Sequence, residues 1–145
     1  MKVSDIVSSK GSTEVFTIRP DASVSDLLDV LAEHNIGALI VSEDGDHVLG
    51  IVSERDIVRK LRGVPEPGTQ TVEAIMTTDV HSCQPGDDIG VLMSIMTDRR
   101  IRHIPVLDEE GALTALLSIG DVVKFRTEQL EFERDQLNEY VAQAR

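Results

Sequence analysis

Apolar positions along the chain switch between two periods, and then the whole pattern comes round again. Val15 to Ile18 is a short β-prone run. Behind Pro20-Asp-Ala-Ser23, residues Val24, Leu27, Leu28 and Leu31 fall at helical spacing, which predicts a helix with a capped start. Ala38 to Val41 is a continuous apolar run, Glu43 to Asp46 has turn chemistry, and Val48 to Val52 is a second run, so the three predict a hairpin of buried strands. Ser53-Glu-Arg-Asp56 opens another helix that runs to about Arg62. Gly63 to Gly68, with two prolines and two glycines, ends it.

Shifting the chain by 65 positions aligns residues 15–59 with 80–124 without a gap, and eight of the 45 pairs are identical. They include Pro20/Pro85, Leu27/Leu92, Val41/Val106, Ser53/Ser118 and Asp56/Asp121. The apolar register agrees more widely than the identities do. The second copy therefore predicts a strand near Val80 to Cys83, a helix from Asp88, strands at His103 to Leu107 and Leu113 to Ser118, and a helix from Ile119. Each copy also has a leader, Val3 to Val7 and Val72 to Met76, and the first carries four extra residues around Lys10-Gly11. The expected fold class is α/β (α+β): two β-α-β-β-α repeats with pseudo-two-fold symmetry plus a C-terminal helix. The boundaries read as 1–62 and 72–124 for the repeats, 63–71 for the linker and 125–145 for the helical extension.

The last helix continues without proline or glycine from Asp121 to about Gln143. Val123, Leu130, Leu137 and Ala144 recur every seven residues, flanked by Phe125, Phe132 and Val141. Two readings fit: a helix packed on its own core or on a symmetry mate, or a docking helix for another partner.

Charge narrows the function. Against 26 acidic residues stand 14 Lys and Arg, a net charge of −12, which argues against nucleic-acid binding. A single cysteine, Cys83, forms no internal disulfide and no cysteine zinc site, and four dispersed histidines make no metal-ligand pair, so no metal is expected. No stretch reaches the roughly 20 apolar residues of a membrane span, and the N-terminus has no signal-peptide run. The expectation is a cytoplasmic protein. Glycine-rich phosphate loops and nucleophile elbows are lacking, so no catalytic constellation is visible.

What remains is Ser-x-x-Asp twice, at Ser53/Asp56 and Ser118/Asp121, each where a buried strand delivers the chain to a helix start. This is a capping-box variant. The same geometry lets a helix N-terminus and a serine hydroxyl hold phosphate while the carboxylate accepts both hydroxyls of a ribose. Two cationic islands interrupt the acidic chain, Arg99-Arg100-Ile-Arg102-His103 and Arg55 with Arg59, Lys60 and Arg62. They serve a ligand phosphate or pair with surface carboxylates. Lys10, in the extra loop, is a further phosphate candidate or a solvated charge.

These motifs together, Gly-Ile-Val-Ser-Glu-Arg-Asp in the first copy and Arg-His-Ile-Pro-Val with Leu-Leu-Ser-Ile-Gly-Asp in the second, resemble a tandem pair of cystathionine β-synthase (CBS) domains, a Bateman module, over residues 3 to about 124. The resemblance implies a non-enzymatic regulatory, energy-sensing module, often a homodimer, whose clefts bind adenosine nucleotides and which modulates an unidentified partner protein. AMP is the first expectation, with ADP, ATP, NAD(H) or S-adenosylmethionine as competitors. Carried over by position, Asp56 and Asp121 match the ribose-binding aspartates, and Ser53 and Ser118 the hydroxyls near phosphate. Arg55, Arg100, Arg102 and His103 match phosphate contacts. Thr17, Ile18, Ala38, Ser82, Cys83, Ile104 and Pro105 match the adenine pocket. Gly120 stands where the first copy has Arg55, and Arg102 where it has Gly37, so the two clefts should differ. The alternative from another class is a ligand-independent dimeric scaffold.

Overall fold

The computed structural model describes residues 1–11 and 14–144, so part of the extra loop after Lys10 and the terminal Arg145 lie outside the described residues. In the first copy, β1 (Thr17–Ile18) is followed by α2 (Val24–His34), β2 (Ala38–Val41), β3 (Gly50–Ser53) and α3 (Glu54–Lys60). The leader before it is α1 (Val3–Ser9). The second copy begins with the leader α4 (Val72–Ile75) and continues through α5 (Ile89–Arg99), β4 (His103–Leu107), β5 (Leu113–Ser118) and α6 (Ile119–Gln143).

Local chemistry sets these boundaries. Ser23 caps α2 by accepting from the Asp26 N–H at 3.0 Å, and Asp88 caps α5 by accepting from Gly90 N–H at 2.6 Å. Both helices end on a left-handed residue, Asn35 at φ 52° and Arg100 at φ 55°. β2 is buried at all four positions, because one face lies on the helices and its edges pair with β1 in parallel and β3 antiparallel.

The strand expected at Val80 to Cys83 is not formed. Cys83 makes a single parallel bridge to Val106, donating its N–H to the Pro105 carbonyl at 3.0 Å and accepting from Leu107 N–H at 2.9 Å. The next rung would need an N–H from Pro105, which has none, so the ladder stops. Ile40 holds the matching place in the first copy and keeps its N–H, and there Thr17–Ile18 pairs over two residues.

Two cores form, one per copy, and the leaders are exchanged between them. Val3 and Ile6 of α1 are fully buried with Leu92, Ile104 and Leu117 of the second copy, while Val72 and Ile75 of α4 are buried with Leu27, Leu39 and Val52 of the first. The backbone repeats the exchange bond for bond. Val3 N–H reaches Asp87 O at 2.9 Å and Ser4 N–H reaches Pro85 O at 2.9 Å; Val72 N–H reaches Ala22 O at 2.9 Å and Glu73 N–H reaches Pro20 O at 3.0 Å. Acceptors in the two sets stand 65 positions apart, as two-fold-related copies require. Neither core is complete without the other copy's leader.

The first two turns of α6 carry Val122 and Phe125 onto the second core. Beyond them the helix leaves the body: Leu130, Phe132, Leu137, Tyr140 and Val141 are all exposed. This segment does not pack on its own core: Phe132 lies on the same face as Phe125, seven residues on, yet is exposed, so the helix has run past the body.

Candidate functional site

Strands β3 and β5 each end in a serine that begins a helix, and both serines close a full capping box. Ser53 Oγ accepts the Asp56 N–H at 3.4 Å while Asp56 Oδ2 accepts the Ser53 N–H at 3.0 Å. Ser118 and Asp121 repeat the exchange at 3.1 and 2.9 Å. Each box places a carboxylate in the lining of a cleft that residues of both copies share.

The Asp56 cleft encloses about 600 Å³ and the Asp121 cleft about 340 Å³. Around Asp56 stand Ser53, Arg55, Thr77, Val80, His81, Arg100, Arg102 and Ser118. Asp56 is nearly enclosed; its Oδ1 accepts from Thr77 Oγ1 at 3.0 Å and pairs with Lys60 Nζ at 3.1 Å. Lys60 also donates to the Ile75 carbonyl at 2.7 Å, which pins the end of α3 to the leader α4.

Around Asp121 stand Lys10, Val15, Phe16, Ile36, Gly37, Ala38, His103 and Ser118. Lys10 Nζ meets Asp121 Oδ2 at 2.9 Å and donates to the Leu116 carbonyl at 2.9 Å. Burial pushes the Asp121 carboxyl up, but the Ser118 N–H and the Lys10 ammonium outweigh it and hold the group below the usual carboxylate range. Phe16 lines this cleft, and its ring stacks on His34 with centroids 3.8 Å apart.

His103 lines both clefts. Burial drives its proton off, with Arg102 and Lys10 in the same sense and Asp121 and Glu54 opposing, so the ring titrates below the ordinary histidine value.

The structure brings Ser53, Arg55, Asp56, Arg100, Arg102, His103 and Ser118 together at one cleft, and Lys10, Ala38, His103, Ser118 and Asp121 at the other. It does not bring the rest of the expected adenine pocket there. Ile18, Cys83, Ile104 and Pro105 are buried; Thr17 and Ser82 line neither cleft. Cys83 is a core residue whose thiol is pushed up to about 12 by burial and then by the charge of Asp87, which leaves it unreactive. The cleft walls are built two residues earlier, from Val15-Phe16 and Val80-His81, before the chain enters the sheet. Phe16 sits inside the β-prone run Val15 to Ile18 and Thr77 directly follows the leader Val72 to Met76, and neither belongs to a motif.

Among the described residues no three His, Cys, Asp or Glu side chains gather to hold a metal ion, and no helix is long and apolar enough to cross a membrane.

Comparison with known proteins agrees with this architecture. The CBS-domain family model matches residues 3–63 and 72–128. The mitochondrial CBS domain-containing protein CBSX3 of Arabidopsis thaliana is 34% identical over 148 residues, covering 96% of this chain and 71% of that protein. A CBS-domain-containing protein from Agrobacterium tumefaciens, of known crystal structure, is 39% identical with a TM-score of 0.80, covering 87% of this chain and 99% of that one. CBSX2, crystallised in complex with AMP, shares the fold at a TM-score of 0.70 and 22% identity, covering 88% of this chain and 96% of its own. With two matched repeats, exchanged leaders and paired clefts, the chain belongs to the CBS-domain family as a tandem CBS pair.

Proposed function

We propose that this CBS pair is a non-enzymatic regulatory module that binds adenosine nucleotides in the clefts between its repeats and thereby changes the state of a partner protein. One observation carries the reading: two equivalent capping boxes each set a carboxylate beside a helix N-terminus in the lining of a cleft. The carboxylate suits a ribose diol and the N-terminus suits phosphate. Regulation follows if the ligand favours one relative orientation of the copies, since only differential affinity shifts an equilibrium. The AMP complex of CBSX2, which has the same fold, supports the ligand class.

Thermal unfolding in the presence of AMP, ADP, ATP, NADH or S-adenosylmethionine tests it. A ligand at 100 times its Kd adds about 2.7 kcal/mol, a shift of a few degrees. No shift from any of them overturns the reading.

A second reading has its own observation. Val123, Leu130, Leu137 and Val141 form an exposed apolar stripe along α6, suited to a second copy of the chain in a helix pair. On that reading the module is a homodimer, and self-association without any nucleotide response would make it a scaffold.

A further inference from the structure

Six of the chain's 14 Lys and Arg residues line the Asp56 cleft: Arg55, Arg59, Lys60, Arg99, Arg100 and Arg102. Three carboxylates share it, Glu54, Asp56 and Asp79. Carboxylates are abundant in this chain, yet among the described residues Arg59, Arg99, Arg100 and Arg102 pair with none of them. Arg55 turns towards another arginine, donating Nη1 to the Arg100 carbonyl at 3.2 Å. Arg100 itself holds a left-handed backbone, φ 55°, where the first copy uses Asn35. That conformation suits asparagine and is unfavourable for arginine, so the helix end accepts strain to keep a cation at the cleft. A concavity crowded with unneutralised arginines focuses a positive potential and attracts a multiply charged anion.

The Asp121 cleft has the opposite character. Lys10 is the one Lys or Arg among its described lining residues, and its ammonium already serves Asp121 and the Leu116 carbonyl. Glu14 and Asp121 put two carboxylates beside that single cation. The other described lining residues are the polar Asn35, His103 and Ser118 and an apolar set that includes Phe16, Ile36 and Leu116, and the volume is about 340 Å³ against about 600 Å³.

Resting on the adenosine-binding reading above, we propose that the two clefts sort adenosine compounds by phosphate number. The Asp56 cleft takes those with two or more phosphates, a nucleoside diphosphate, a triphosphate or a dinucleotide; the Asp121 cleft takes a phosphate-free adenosine compound.

Calorimetric titration with adenosine, AMP, ADP and ATP tests this on the Asp121→Asn variant, which isolates the first cleft, and on Asp56→Asn, which isolates the second. In Asp121→Asn, affinity should rise at least about tenfold from AMP to ATP, as one added charge-assisted contact supplies, and fall steeply with salt. Inorganic tripolyphosphate should compete with ATP there and leave adenosine bound to Asp56→Asn. Adding Arg99→Gln and Arg102→Gln, both exposed positions, to Asp121→Asn should level AMP and ATP, with an unchanged circular dichroism melt showing the fold intact. Equal, salt-independent affinities for AMP and ATP in Asp121→Asn, or ATP displacing adenosine from Asp56→Asn, would overturn the sorting while leaving adenosine binding standing. Silence from adenosine and every nucleotide on the wild-type protein overturns the sorting and the reading beneath it together.

Discussion

Lys10 and Asp121 lie near opposite ends of the chain, and their charged groups meet at 2.9 Å. The other capping-box aspartate has a lysine too, Lys60 at 3.1 Å from Asp56, but that one comes from the next turn of the same helix. Equivalent carboxylates are thus neutralised from non-equivalent places. Lys60 is tied to Asp56 by helix geometry, whereas Lys10 reaches Asp121 only because the leader of the first copy is docked on the second. A ligand in the Asp121 cleft meets a lysine that the exchange of leaders has positioned.

Removing that lysine should be visible in acid. Asp121 is held below its ordinary range, so its stabilisation is present above the unfolded carboxylate value of about 3.9 and is lost as pH falls through the folded value. Lys10→Met relaxes the depression and should move the acid unfolding midpoint, followed by circular dichroism, to higher pH. At neutral pH the cost should be about 1 kcal/mol or less, because both side chains are partly exposed.

His103 gives a second pH handle. Its folded value lies below the unfolded one, so the unfolded chain binds the extra proton and stability falls as pH drops below about 6.5. His103→Gln should flatten that slope in denaturant titrations between pH 7 and 5. A nucleotide phosphate in the Asp56 cleft, which His103 lines, should raise the imidazole value, read by NMR titration of the ring protons. An imidazole that titrates identically with and without nucleotide would place the phosphates away from His103.

The leader exchange predicts where damage travels. Ile6 is fully buried in the second core, so Ile6→Ala should cost about 2–5 kcal/mol and loosen β4 and β5 rather than the neighbouring β2 and β3. Hydrogen exchange with residue resolution separates the two. Ile75→Ala should do the reverse, weakening β2 and β3.

For the α6 stripe, Leu130→Glu with Leu137→Glu should convert a dimer to a monomer in analytical ultracentrifugation while leaving the unfolding free energy of the body within about 0.5 kcal/mol, since both positions are exposed. A wild-type chain that sediments as a monomer contradicts the self-association reading.

Much of this was legible in residue order because it is local chemistry. β2 at Ala38–Val41 and the capped starts at Ser23, Asp88, Ser53 and Ser118 are set within a turn or two of chain. The leaders were visible as repeats of one another, but nothing in Val3 or Val72 says which core each enters, because both cores offer the same apolar face. The strand at Val80–Cys83 failed through a residue in its partner, Pro105. Val15-Phe16 and Val80-His81 line the clefts while Ile18 and Cys83 point into the cores, and alternation alone does not tell a core face from a cleft face.

The most direct test of nucleotide binding at the paired carboxylates is calorimetric titration of ADP into the wild-type protein and into Asp56→Asn/Asp121→Asn. Asparagine keeps an oxygen to accept the serine N–H, so both helix caps survive, while the charge that suits a ribose diol is gone. The account predicts saturable binding to the wild type that weakens at least about tenfold in the double variant, as loss of hydrogen bonds to a charged group implies. Equal affinity in both proteins, or none in either, would contradict it.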